Sequence, residues 1–319
     1  WSVAYVMVAQ AISGIAKDLN KMSAKSAIKT VVPETPGDPS RGENQLFKWV
    51  AILTGSKNAL KGVGFFLGGV LLTTIGFSAA VGAMAAGLFL AFLMTLVLPG
   101  EIGRMKESPA ITAMFSKSKG INVLSTARFF LFGARDVWFV VALPVFLQSV
   151  LGWKYWEAGG FMGLWVIGYG IVQASVPALR RSWGKSGPPG VSAVQFWSAV
   201  LTAIPGLIAI SLWREVGNPG VALVVGLAAF GVVFAMNSSI HSYMVLAYTD
   251  AESVSLNVGF YYMANAAGRL VGTLLSGALF LVGGLQACLW ASCLLVALAF
   301  LSGIRLPPPL RLQAVNPPA

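Results

Sequence analysis

Asn218-Pro-Gly-Val-Ala-Leu-Val-Val-Gly-Leu-Ala-Ala-Phe-Gly-Val-Val-Phe-Ala-Met-Asn-Ser-Ser-Ile-His-Ser-Tyr-Met-Val-Leu-Ala-Tyr248 decides the fold. This run contains no Asp, Glu, Lys or Arg. At about 1.5 Å per residue, a helix of that length exceeds the roughly 30 Å hydrocarbon core of a bilayer. Similar runs recur along the chain, separated by short polar or Pro/Gly-rich breaks. Helices are expected over 1–31, 46–75, 78–98, 121–151, 156–179, 191–213, 218–248, 254–282 and 285–304.

Composition agrees. The chain has 319 residues, 56% hydrophobic and 10% charged, with a mean hydropathy of +0.76. Soluble domains carry about a quarter charged residues. A chain this apolar has too little polar surface to face water, so the fold class is all-α transmembrane. The net charge of +11 then points to basic loops and an anion path rather than to nucleic acid. Cys288 and Cys293 share one apolar run and are expected to be packing residues, without metal or disulfide. No nucleotide loop, nucleophile elbow or zinc helix occurs, so no enzyme and no cofactor is expected.

The loops set orientation. Arg41, Lys48, Arg104, Lys106, Lys117, Lys119, Arg180, Arg181, Lys185, Arg305 and Arg311 fall in alternate connections. The intervening ones hold Lys154 and Arg214. By the positive-inside rule the first set is cytoplasmic. The expected location is the cell's inner (plasma) membrane, multi-pass, with a cytoplasmic C-terminus. The chain opens at Trp1 within an apolar segment and without an initiator methionine, so further residues are expected upstream.

This pattern fits about nine of the twelve helices of a major facilitator-type bundle. Residues 1–98 would be the remainder of the N-terminal six-helix half (helices 4–6), and 99–120 the central cytoplasmic loop. Residues 121–304 would be the C-terminal six-helix half and 305–319 the tail. Sliding the chain along itself brings Ala59 onto Ala267, Lys61 onto Arg269, Gly64 onto Gly272 and Gly69 onto Gly277. An internal repeat of this kind would put Lys61 and Arg269 at equivalent depths, facing one cavity. The pairs Gly64/Gly68 and Gly268/Gly272 have the spacing that lets helices approach closely.

Ionisable side chains inside apolar helices face a cavity or a partner. Lys17, Lys21, Lys57, Lys61, Arg128, Arg135 and Arg269 are opposed there only by Asp18 and Asp136. Ion-paired gates and interhelical contacts account for some of these residues, but not for the excess of positive charge. An anionic small-molecule substrate would neutralise it, since guanidinium forks suit oxyanions. Asn265, one turn before Arg269 on the same polar stripe, joins these residues as a candidate for binding the substrate, the blander alternative being a local pairing of the two. Lys25 and Lys29 are placed to snorkel to the interface. Asp18, Asp136 and His241 are the candidates for coupling or gating.

Four strings carry a specific likeness: Ser13-Gly-Ile-Ala-Lys-Asp-Leu-Asn-Lys-Met-Ser-Ala-Lys25, Leu53-Thr-Gly-Ser-Lys-Asn-Ala-Leu-Lys-Gly-Val-Gly-Phe-Phe-Leu-Gly-Gly69, Phe132-Gly-Ala-Arg-Asp-Val-Trp-Phe-Val-Val-Ala-Leu-Pro144 and Leu164-Trp-Val-Ile-Gly-Tyr-Gly-Ile-Val-Gln173. They resemble the organoarsenical efflux permeases of the ArsJ family, over nearly the whole chain. The resemblance implies a major facilitator exporter of 1-arseno-3-phosphoglycerate. It also implies a functional link to a glyceraldehyde-3-phosphate dehydrogenase, which makes that ester when arsenate replaces phosphate, and hence arsenate resistance. No residue-level site is carried over from it. The chain departs from the family in lacking the first helices. Arg180-Arg-Ser-Trp-Gly-Lys185 is a poor version of the superfamily's basic loop motif. Export of another phosphorylated or carboxylated metabolite is the alternative, and a non-transporting membrane receptor a more distant one.

Overall fold

The computed structural model describes residues 39–97, 118–185, 187–214, 217–249 and 254–309, together with scattered positions between 5 and 28, all helical. Lys17, Asp18 and Lys21 lie outside the described residues, as do residue 98, 99–117 of the expected central loop and 310–319 of the tail.

Helices α1 (Pro39–Thr95), α2 (Lys119–Phe139), α3 (Ala142–Ser149), α4 (Tyr155–Ser182), α5 (Val191–Trp213), α6 (Pro219–Ala247) and α7 (Val254–Ile304) make up the bundle. No strand occurs among the described residues. Among the described residues, six helical stretches are long and apolar enough to cross a membrane.

Glycine divides the two longest helices. Gly76 has φ 76° and ψ 173°, a conformation open to a residue without Cβ. It splits α1 at the gap between the expected helices 46–75 and 78–98. Gly283 and Gly284 split α7 in the same way, at the expected gap between 282 and 285. The expected single helix 121–151 is instead broken between Phe139 and Ala142. Pro144 causes this, since it has no N–H for the Val140 carbonyl. The break exposes the Ala142 N–H, which donates to Ser276 Oγ at 3.1 Å. At the start of α6, Asn218 Oδ1 accepts from the Gly220 and Val221 N–H groups at 2.9 and 3.2 Å, and Pro219 follows as a natural first residue.

Two apolar clusters hold the helices together. In the first, Trp138 meets Trp165 and Phe230 edge to face at 5.7 and 5.1 Å, joining α2, α4 and α6. The Trp165 indole N–H donates to the Leu227 carbonyl at 2.7 Å. The second joins Leu46, Phe47 and Val50 of α1 to Ile240 and Tyr243 of α6 and Val258 of α7. As a result, every residue from Phe234 to Thr249 is buried.

Small residues bring two pairs of helices close. A Cβ on Gly268 would strike the Phe129 carbonyl, and one on Gly272 would lie 2.5 Å from the Gly133 carbonyl. α7 thus packs backbone to backbone on α2, as its glycine spacing led one to expect. The corresponding expectation for Gly64 is corrected: nothing lies within 4 Å of a Cβ there. The face of α1 that meets α4 is that of Gly55, Ala59 and Gly62, seated against Gly170, Ala174 and Gly163. Gly64 points elsewhere on the helix.

The exterior is apolar. Leu281 and Val282 are each 88% exposed, and on the Thr74–Thr95 limb only Ala80 is buried. A surface of this kind is matched to hydrocarbon rather than to water.

Candidate functional site

The site is built on the fully enclosed half of α6. A helix buried on all sides is ordinarily apolar all round. This one carries Asn237, Ser238, Ser239, His241 and Ser242, all buried. Their polar groups need partners from neighbouring helices, because burying an unpaired polar group is costly.

α2 supplies the principal charge. Arg128 and Arg135 are two turns apart and flank Phe132, with guanidinium carbons 3.9 and 4.9 Å from its ring centroid. Arg128 is buried, at 4% exposure. Its Nε donates to Asn265 Oδ1 at 3.1 Å and its Nη1 to Ser238 Oγ at 3.0 Å. Ser238 Oγ also accepts from Gln173 Nε2 at 3.3 Å, and Gln173 Oε1 accepts from Asn58 Nδ2 at 2.6 Å. One polar chain therefore runs through α1, α4, α6, α2 and α7. Pro177 contributes to it indirectly. It cannot donate to the Gln173 carbonyl one turn back, and the Ser239 hydroxyl donates there instead, at 3.3 Å.

Beside this chain lies a group of unsatisfied polar atoms. Both ring nitrogens of His241, Asn237 Oδ1, Ser125 Oγ and Lys25 Nζ are buried without a hydrogen-bond partner. The Ser242 hydroxyl and the Tyr261 phenol face each other without a bond of ordinary geometry. Lys25 is 1% exposed, its Nζ 5.3 and 5.4 Å from the ring centroids of Tyr261 and Tyr262. Arg128 and Lys57 are the charges that act on Lys25, and Arg128 and Lys25 those that act on His241. Lys25 does not snorkel: the bundle encloses it, and this corrects its expected placement at the interface. Neither it nor Arg128 is ion-paired with a carboxylate among the described residues.

The acid of α2 serves a second group. Asp136, 0% exposed, is shared by two arginines. Arg135 Nε donates to Oδ1 at 2.6 Å, and Arg269 Nε donates to Oδ2 at 2.7 Å. Arg269 is thus tied to Asp136, and Asn265 to Arg128; the local pairing of Arg269 with Asn265, the blander alternative, does not form. Two guanidinium groups on one carboxylate leave this triad positive as well.

The structure therefore joins Arg128 with Asn265 and, separately, Arg135 and Arg269 with Asp136. His241 faces the first group. Lys57 is half-buried and lies toward it, whereas Lys61, one turn on, is exposed. Gln173 and Ser238 belong to the site although the sequence reading did not name them as candidates, and so do Tyr261, which lies on the polar stripe of Arg269, and Lys25, which was expected at the interface. For Ser238 a signal existed: it stands in a polar Asn237–Ser242 stretch inside an otherwise apolar run.

No family model matches the sequence, and no curated protein matches it. Among solved structures, the chain is similar to a bacterial homologue of the iron transporter ferroportin in an outward-facing state. The match has a TM-score of 0.66 at 15% identity and covers 96% of this chain and 74% of that one. At such an identity the likeness is one of architecture, and the chain has the all-helical bundle fold of a membrane transporter.

Proposed function

We propose that this protein exports an anionic organoarsenical, 1-arseno-3-phosphoglycerate, by alternating access between two helical halves. The observation that carries this reading is the buried pair Arg128 and Lys25, without a carboxylate partner among the described residues and next to unsatisfied His241, Ser242 and Tyr261. A buried charge without a counter-ion is costly. An oxyanion entering the centre would neutralise it and use the free donors. The Asp136 triad, positive by one charge, extends the path along α2. Lys57, Lys61 and, beyond the described residues, Lys17 and Lys21 are proposed to line it, with Asp18, Asp136 and His241 as coupling or gating groups.

The resemblance of the four quoted strings selects the organoarsenical among anions and brings with it the link to a glyceraldehyde-3-phosphate dehydrogenase. The distribution of basic residues supports an inner-membrane protein with a cytoplasmic C-terminus. The solved neighbour is a homologue of an iron transporter, but a metal cation would be repelled by the Arg128 guanidinium at this centre. Among the described residues, no group of three His, Cys, Asp or Glu is placed to hold a metal.

The test is arsenate resistance in a sensitive bacterial strain carrying the full-length protein and the dehydrogenase. Protection should require both and should be lost with Arg128→Gln at nearly unchanged membrane abundance. Equal protection by the variant would refute the cationic centre. Efflux of a different phosphorylated or carboxylated metabolite, without arsenate protection, would establish the alternative substrate.

A further inference from the structure

A second cationic feature lies away from the Arg128 centre. Where α1 begins and α4 ends, a cleft of about 690 Å³ is lined by Arg41, Lys48, Arg180, Arg181 and Lys185. Asn44 and Gln45 add amides, and no acidic side chain lines it among the described residues. Arg180 is its anchor. Nη2 donates to the Gly187 carbonyl at 3.3 Å, which fixes the guanidinium, while Nε is buried without a partner. A fixed guanidinium fork with a donor to spare, surrounded by further cations, is suited to a phosphate.

We propose that this cleft seats the phosphate of an anionic phospholipid headgroup. Two observations favour a lipid over a soluble anion. Trp183, the residue after α4, is 52% exposed and lies 5.9 Å from the Trp197 ring, and the neighbouring Phe196 is 58% exposed. Exposed tryptophans mark the bilayer interface, the level at which headgroup phosphates lie. Beyond the cations, both helices carry large exposed apolar side chains. Ile52 lies one turn and Leu60 three turns past Lys48 on α1, and Ile171 and Leu164 lie one above the other on α4. A headgroup among the cations would thus have its acyl chains against apolar side chains. Basic pockets between membrane helices commonly bind such headgroups. The cleft shares no residue with the Arg128 centre, so the proposal is independent of what the protein carries.

The test uses the full-length protein in a neutral detergent, titrated separately with phosphatidylglycerol, phosphatidylcholine and glycerol 3-phosphate. Thermal unfolding is followed by tryptophan fluorescence. A saturable rise in Tm is expected with phosphatidylglycerol alone. Lys185→Gln, at an exposed loop position, should weaken that binding about fivefold. Arg180→Gln combined with Arg181→Gln and Lys185→Gln should weaken it roughly 100-fold, and Arg181→Lys with Lys185→Arg should retain it. If phosphatidylcholine acts as well as phosphatidylglycerol, or the triple variant binds like the wild type, the headgroup site does not exist. If glycerol 3-phosphate alone reproduces the rise, the cleft takes a soluble phosphate and the lipid assignment is overturned.

Discussion

Arg128 Nε on α2 lies 3.1 Å from Asn265 Oδ1 on α7, and this bond leaves the guanidinium charge uncancelled. An amide satisfies a donor without neutralising a cation. Had the partner been a carboxylate, the centre would be a closed ion pair with nothing to offer a ligand. The only carboxylate nearby on α2, Asp136, is occupied by Arg135 and Arg269. The division of partners along one face of α2 therefore separates a locked group from an open one.

The locked group should behave as a structural unit. Asp136→Asn removes the counter-ion of two arginines, one of them 39% exposed at its side chain. Water relieves that one in part, so a loss of about 2–3 kcal/mol is expected rather than the full value for a buried pair. Arg135→Gln leaves Arg269 to balance Asp136 and should preserve stability while impairing transport. Thermal unfolding of the purified variants checks both. An Asp136→Asn protein as stable as the wild type would show that the triad does not hold α2 to α7.

His241 offers the opposite test. Its imidazole is buried with neither nitrogen bonded, so a residue of similar size and no polarity should not destabilise the bundle. His241→Leu is expected to unfold at an equal or higher temperature and to lose transport. Loss of stability together with retained activity would make the ring a packing residue.

The glycine contacts predict an asymmetry. Gly268→Ala places a methyl group against the Phe129 backbone, which cannot yield, and should cost about 1–3 kcal/mol. Gly64→Ala meets open space and should be near neutral. Equal effects at the two positions would refute the tight seam between α2 and α7. Sequence spacing alone did not distinguish these two pairs. Both have the same pattern, and only the face each helix turns to its neighbour decides which pair is used.

The same limit explains the rest of what the sequence left hidden. The kinks at Gly76 and at Gly283–Gly284 were legible because they depend on local backbone freedom. The Asn218–Pro219 helix start was legible for the same reason. Pro144 breaks its helix by an equally local cause, but the break was not anticipated because the apolar run continues through it. Partner choice was not legible. Asn265 is four residues from Arg269 and 137 from Arg128, yet it bonds Arg128. Lys25 follows the i+4 spacing of an interfacial lysine, and its enclosure by Tyr261 and Tyr262 emerges only when the helices pack.

Orientation can be read from the two ends of α4. Lys154 precedes the helix, Ser182 closes it, and both are exposed. In a background with Cys288 and Cys293 replaced by alanine, Lys154→Cys should react with an impermeant maleimide added outside intact cells, and Ser182→Cys should not. The reverse pattern would invert the orientation inferred from the basic loops.

The most direct test of the anion path is flux. Inside-out vesicles containing the full-length protein are supplied with arsenate, glyceraldehyde 3-phosphate, the oxidised nicotinamide cofactor and the dehydrogenase, and trapped arsenic is measured. Accumulation should require the dehydrogenase, should fall at least tenfold with Arg128→Gln, and should be partly retained with Arg128→Lys, since one unit of central charge is worth more than about 1.4 kcal/mol to a buried oxyanion. Arsenic accumulating equally in wild-type, Arg128→Gln and protein-free vesicles would contradict the central claim.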